Sequence, residues 1–156
     1  MSRGGTIWPM TGKRAGRSGK GPPGPTDPEQ GVWQGRSVAR RFTSPDGWTV
    51  LVGRTAADND VLSIKLASPQ DFWFHVAGQP GSHVVVLNPD KADRLPRETE
   101  RFAAGLAAGY SSARRGGRVA VHAARCGDVR KPGRMAPGKV TLRREKTLKV
   151  EPVRPD

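Results

Sequence analysis

The chain has 156 residues, enough for one domain of ordinary size with a real core, but its hydrophobic fraction is only 35% and it carries 20 glycines and 14 prolines. No apolar run nears the ~20 residues of a bilayer-spanning helix, the basic N-terminus lacks the apolar stretch of a secretory signal, and the lone Cys126 excludes an internal disulfide. The net charge is +13 and unevenly spread, with 14 basic against 4 acidic side chains after residue 100.

That concentrated surplus points to a polyanionic partner, because each neutralised phosphate releases counterions and favours binding. A single cysteine and no secretory signal make the cytoplasm the expected location. Residues 1–37 hold 9 glycines and 5 prolines among scattered basic side chains. Such a segment buries too little apolar surface to offset its ordering entropy, so a disordered basic tail is expected over 1–37. Trp8 and Trp33 are its exceptions, with docking on a partner or on the domain as the alternative to the preferred reading of both as part of a loose tail.

From Val38 the punctuation changes. Arg41–Thr43 and Trp48–Gly53 flank the turn sequence Ser44-Pro45-Asp46-Gly47, which predicts a hairpin. Asn59 and Asp60 then cap a short helix over Val61–Ala67, with Leu62 and Leu66 on one side; Thr55 offers an alternative, earlier start. Asp71-Phe72-Trp73-Phe74-His75 alternates: as a strand it sets Asp71, Trp73 and His75 on one face and Phe72, Phe74 and Val76 on the other. The loop Pro80-Gly81-Ser82-His83 leads into a second apolar strand, Val84–Leu87.

Pro96, Glu98 and Glu100 mark the start of the clearest helix, and Phe102, Ala103, Leu106, Ala107 and Tyr110 recur at helical spacing. Gly116-Gly117 stops it, and Ala103, Ala107 and Gly109 permit close packing against a sheet. Val119–Ala123, Val140–Leu142 and Thr147–Val150 are strand-like, and between the first two runs a basic loop, Val129–Lys139. These elements predict an α+β fold: a small, mostly antiparallel sheet packed against one long and one short helix.

Gly53-Arg54, Asn59-Asp60, Asp71-Phe72-Trp73-Phe74-His75, Pro80-Gly81-Ser82-His83, Val129-Arg130-Lys131-Pro132 with Pro137-Gly138, and Lys146-Thr147-Leu148 follow in one order. Together they resemble the NFACT-R domain, the RNA-binding module of the ribosome quality control factors once described as fibronectin-binding proteins. The resemblance spans residues 38–153. It implies an RNA-binding domain whose family signatures fall on Arg54, Asn59, Asp60, Asp71, Trp73, His75, Ser82 and His83, with tRNA or rRNA and the large ribosomal subunit as partners. The large N-terminal domain and coiled coil of full-length members have no counterpart in this sequence, so a stand-alone copy is expected. His122 stands where an acidic residue is expected, and the loop Gly133-Arg134-Met135-Ala136 is less lysine-rich than in the family.

The residues have their own physical readings. Trp73, flanked by Asp71 and His75, is suited to stacking a base, worth about 1–3 kcal/mol, while its neighbours bond the base edge or ribose. The competing reading buries Trp73 under a helix with its N–H satisfied. His75 either contacts RNA or bonds Asp71 or a loop backbone; Ser82 either contacts RNA or caps a turn. Arg130, Lys131, Arg134 and Lys139 would hold phosphates, joined by Lys146. Arg54, Asn59 and Asp60 are equally explained as helix cap and loop braces.

Asp71, His75 and Ser82 include the residue types of a nucleophilic triad, but no Gly-x-Ser-x-Gly elbow surrounds Ser82. His75, His83, His122 and Cys126 lack paired metal-ligand spacing. The primary reading is therefore a non-catalytic RNA-binding protein with no metal, cofactor or membrane partner. An enzyme acting on RNA or a nucleotide through His75 or His83, and a ribosome-docking module, are the alternatives.

Overall fold

The computed structural model describes residues 22–155. A 3-10 turn, Pro28–Gln30, precedes a short hairpin of β1 (Val32–Trp33) and β2 (Arg36–Ser37). The expectation of disorder over residues 1–37 therefore fails for its second half, while residues 1–21 and Trp8 lie outside the described residues. Gly31 explains the failure: its φ of 68° turns the chain, and its carbonyl accepts from Val38, tying the segment to the domain. Trp33 packs partly buried against the core layer that includes Val38, Leu51 and Trp73, so it docks on the domain itself and is not part of a loose tail.

Six strands form one antiparallel sheet: β3 (Ala39–Thr43), β4 (Thr49–Gly53), β5 (Phe72–Val76), β6 (Val84–Val86), β7 (Val119–Arg125) and β10 (Lys146–Val150), in the order β10-β7-β5-β6-β4-β3. A separate pair, β8 (Val129–Arg130) with β9 (Thr141–Leu142), closes the base of the basic loop. The α+β architecture anticipated from the sequence is present, with one long and one short helix.

The alternation along β5 divides the core in two. Phe74 and Val76 face α2 (Arg97–Gly109) together with Val50, Val52, Val84 and Val86, and Leu106 fills the helix side. Each such side chain, fully withdrawn from water, stabilises by about 1.5–3 kcal/mol. Trp73 faces the opposite layer with Leu51, Val85, Leu62 and Leu66. That layer is roofed by α1 (Ala56–Asp60), which continues without a break as a π-helical turn, Val61–Leu66. Thr55 caps α1 by accepting from the Asp58 amide at 3.0 Å, so the earlier of the two possible starts is the one adopted.

Gly109 was expected to allow helix-on-sheet packing, but together with Gly105 it serves a different neighbour. The C-terminal segment crosses α2 at these two positions, with the Val153 amide donating to the Gly105 carbonyl at 2.8 Å. A Cβ at Gly109 would stand 2.0 Å from the Val153 oxygen.

Candidate nucleic-acid interface

The strand β5 does not present an exposed base platform. Trp73 is only 2% exposed, and its Nε1–H donates to Ser63 Oγ at 3.0 Å. The π-turn residues Leu62 and Leu66 cover it, which is the burial alternative raised by the sequence. Asp71 precedes the strand, and its carboxylate bonds loop amides and not His75. Its Oδ2 accepts from the Ser68 amide and its Oδ1 from the Asn88 amide, both at 2.8 Å, so it braces two loops. Burial raises its pKa, and those two N–H groups pull the other way. Asp71 and Trp73 are thereby removed from the set that can touch a ligand.

His83, also proposed for contact, is 1% exposed and extends the chain of hydrogen bonds that begins at Trp73. Its Nδ1 lies 2.8 Å from Ser63 Oγ and its Nε2 lies 3.0 Å from the Gly138 carbonyl. A carbonyl can only accept, so Nε2 carries the proton and Nδ1 receives the Ser63 hydroxyl. This fixes one neutral tautomer. Burial first, and neighbouring His75 second, push the His83 pKa down to about 4.

Through His83 the floor of the domain grips the basic loop, and Asp60 supplies the second grip. The Asp60 carboxylate accepts from the Gly138 amide at 3.1 Å and pairs with Lys131 Nζ at 3.2 Å. Lys131 in turn donates to the Ala136 and Lys139 carbonyls, each at 2.7 Å. Its charge is spent inside the loop, so Lys131 shapes the loop and does not reach outward for phosphate. Asn59 fixes the facing Pro80–His83 loop: its Oδ1 accepts from the His83 amide at 3.0 Å and its Nδ2 donates to the Gly81 carbonyl at 3.4 Å. Gly53 makes room for that amide, since a Cβ there would fall 1.9 Å from Asn59 Oδ1.

Between the two braced loops opens a cleft of about 650 Å3. Arg54, Asn59, His75, Ser82 and Lys139, all singled out from the sequence, line it together with Gln79 and Tyr110. Arg54 and Lys139 are exposed, and among the described residues neither has an acidic partner. His75 is half-buried, its ring stacked on Trp73 at 5.9 Å and 27° between planes. Burial lowers its pKa, the Gly81 backbone opposes that, and His122 and Lys139 add to the lowering, so at neutral pH it offers an uncharged imidazole. The Ser82 amide donates to the Tyr110 carbonyl at 3.0 Å, which ties its loop to the end of α2.

The remaining residues of the predicted set fall elsewhere. The Arg130 guanidinium folds back on the Gly127 and Val129 carbonyls, bracing the base of the loop. Arg134 is exposed at the loop tip, outside the cleft lining. Lys146 lies on the α2 side of the sheet, paired with Glu100 at 2.8 Å, and does not join the cleft. The opposite end of β4 bears a different sign, where Glu29, Asp46 and Asp90 line a second hollow. The contact roles of Ser63, Gly138 and Tyr110 were not foreseen: Ser63 carried no signal, Gly138 stood only as part of the Pro137-Gly138 motif, and Tyr110 read only as one more residue at helical spacing.

The chain is similar to several known proteins over this same region. It is 40% identical over 119 residues to "Rqc2 homolog RqcH" of Streptococcus suis and 33% identical over 115 residues to the protein of the same name from Bacillus subtilis. These alignments cover 75% and 74% of this chain but only 21% and 20% of the relatives, so the chain spans about a fifth of their length. The C-terminal structure of the fibronectin/fibrinogen-binding protein from Streptococcus suis superimposes with a TM-score of 0.70 at 37% identity, covering 76% of this chain and 47% of that one. The family model of the NFACT protein RNA binding domain matches residues 39–144, which hold five of the six strands of the sheet, both helices and the residues that line the cleft. The chain belongs to the family of the NFACT protein RNA binding domain.

Proposed function

We propose that the chain binds structured RNA, tRNA or rRNA, at the large ribosomal subunit in a cytoplasmic ribosome quality control setting, and that it does so without catalysis. One observation carries the reading: Arg54 and Lys139, both without acidic partners among the described residues, line the same cleft beside His75. Family membership supports RNA as the ligand, and the kinship with RqcH supports the ribosomal setting. Arg54 and Lys139 hold phosphates at the cleft, and the His75 edge bonds a ribose hydroxyl or base beside them. His83 is no proton carrier for chemistry, because both of its ring nitrogens are engaged inside the fold.

The test is a titration of tRNA and of isolated large subunits across a range of salt. Arg54→Ala and Lys139→Ala should each weaken binding and flatten the salt slope by roughly one phosphate contact, whereas Lys146→Ala on the other face leaves it unchanged. Equal losses from all three substitutions would remove the cleft from the reading. Turnover of labelled RNA that disappears in His75→Ala would overturn the non-catalytic part.

A further inference from the structure

Tyr110 ends α2 and lines the cleft, yet its ring is already occupied. The Arg154 guanidinium lies over it at 4.6 Å from the centroid, that of Arg40 stands at 5.7 Å, and Phe42 is tilted against it at 6.1 Å. Arg40 and Arg154 are exposed, and among the described residues neither is paired with a carboxylate. Two like charges gathered on one ring repel each other, and the ring's negative face offsets only part of that repulsion. Cations collected without a counter-charge attract an anion from outside the molecule.

The fold delivers both cations deliberately close to the cleft. Arg40 sits on the edge strand β3 in register with Val52, two residues before Arg54. Arg154 arrives on the C-terminal segment, which reaches Tyr110 because Gly105 and Gly109 leave a bare track for Val153 along α2. The aromatic ring fixes the two long side chains, which would otherwise lose much rotamer freedom on binding a ligand.

We infer that Tyr110 organises Arg40 and Arg154 into a phosphate-binding station that adjoins the cleft and holds the RNA backbone where it passes the end of α2. The inference rests on the RNA-binding reading above and adds a second contact surface to it. Tyr110 is a positioning residue here: with Arg154 over its ring it orders cations and does not stack a base. The contact is to backbone, so it is independent of sequence.

The experiment titrates a labelled single-stranded oligouridine with the full chain and plots affinity against salt. Arg40→Gln and Arg154→Gln should each flatten the log–log slope by about 0.7, the value for one phosphate contact on a single strand. Tyr110→Leu should flatten it by about 1.4, although it removes no charge, and Tyr110→Phe should restore it, since the phenyl ring still holds both cations. Arg154→Gln lies on an exposed terminal segment, so its result does not depend on whether Tyr110→Leu folds. Unchanged slopes for Arg40→Gln and Arg154→Gln overturn the station while leaving RNA binding in the cleft intact. A Tyr110→Phe protein that behaves like Tyr110→Leu overturns the role of the ring. Absence of saturable binding by the unaltered chain to oligouridine, tRNA and large subunits alike overturns the RNA-binding reading itself.

Discussion

Replacing Trp73 by phenylalanine separates a core residue from a ligand platform. The indole is 2% exposed and gives its N–H to Ser63 Oγ at 3.0 Å. Phenylalanine keeps most of the apolar bulk but removes that donor and leaves a small void beside Leu62 and Leu66. Losing one partner of a buried hydrogen bond costs about 1–3 kcal/mol, so a total near 2 kcal/mol is expected. For a domain of this size that is a fall in Tm of about 8 °C. Trp73→Ala, at about 3–5 kcal/mol, approaches the whole stability of a typical domain and is the less useful variant. Urea and thermal denaturation read the stability; an RNA titration at a temperature where both proteins are folded reads the affinity. The buried geometry requires a lowered Tm with RNA affinity changed less than threefold. A stacking platform requires the reverse, a loss of about 1–3 kcal/mol in binding with the fold untouched, and that outcome would refute the assignment of Trp73 to the core.

Other expectations follow from the same contacts. His83 is held neutral with its pKa near 4, against 6.5 when unfolded, so between those values the unfolded chain binds more protons and stability rises with pH. On the order of 3 kcal/mol is lost as the pH falls from 7 to 4, and urea midpoints of His83→Gln should show a shallower pH dependence than the unaltered chain. Lys131 ties the basic loop to Asp60 and to two of the loop's own carbonyls, so Lys131→Ala should hasten trypsin cleavage at Arg134. Its salt slope should fall by less than a full phosphate contact; a full unit would mean that the amine faces RNA after all. Gly53→Ala puts a methyl against Asn59 Oδ1, which is held by the His83 amide, and should cost about 1–3 kcal/mol by denaturation.

What the sequence disclosed follows from how local each signal is. The two-faced alternation of β5 was legible because a strand has a fixed period of two, and the structure divides the core along it, with Phe74 and Trp73 in opposite layers. Which layer would be open to solvent was not legible, because that depends on a roof contributed by residues ten positions earlier. Val61–Leu66 forms that roof as a π-turn, a geometry with no propensity signature, and its wide register is what sets Ser63 between Trp73 and His83. The same long-range pairing reassigned the charges. Lys131 and Arg134 belong to one basic loop in the sequence, but only the fold reveals that Asp60, seventy-odd residues away, neutralises Lys131 and leaves Lys139 at the cleft. Arg40 and Arg154, at nearly opposite ends of the domain, carried no shared signal until Gly105 and Gly109 let the C-terminal segment lie down on α2. The residues singled out from the sequence are therefore of two kinds: Asn59, Asp60, Asp71, Trp73 and His83 brace the fold around the cleft, and Arg54, His75 and Lys139 line it. A substitution in the first group should register in stability before it registers in RNA binding, and one in the second group the other way round.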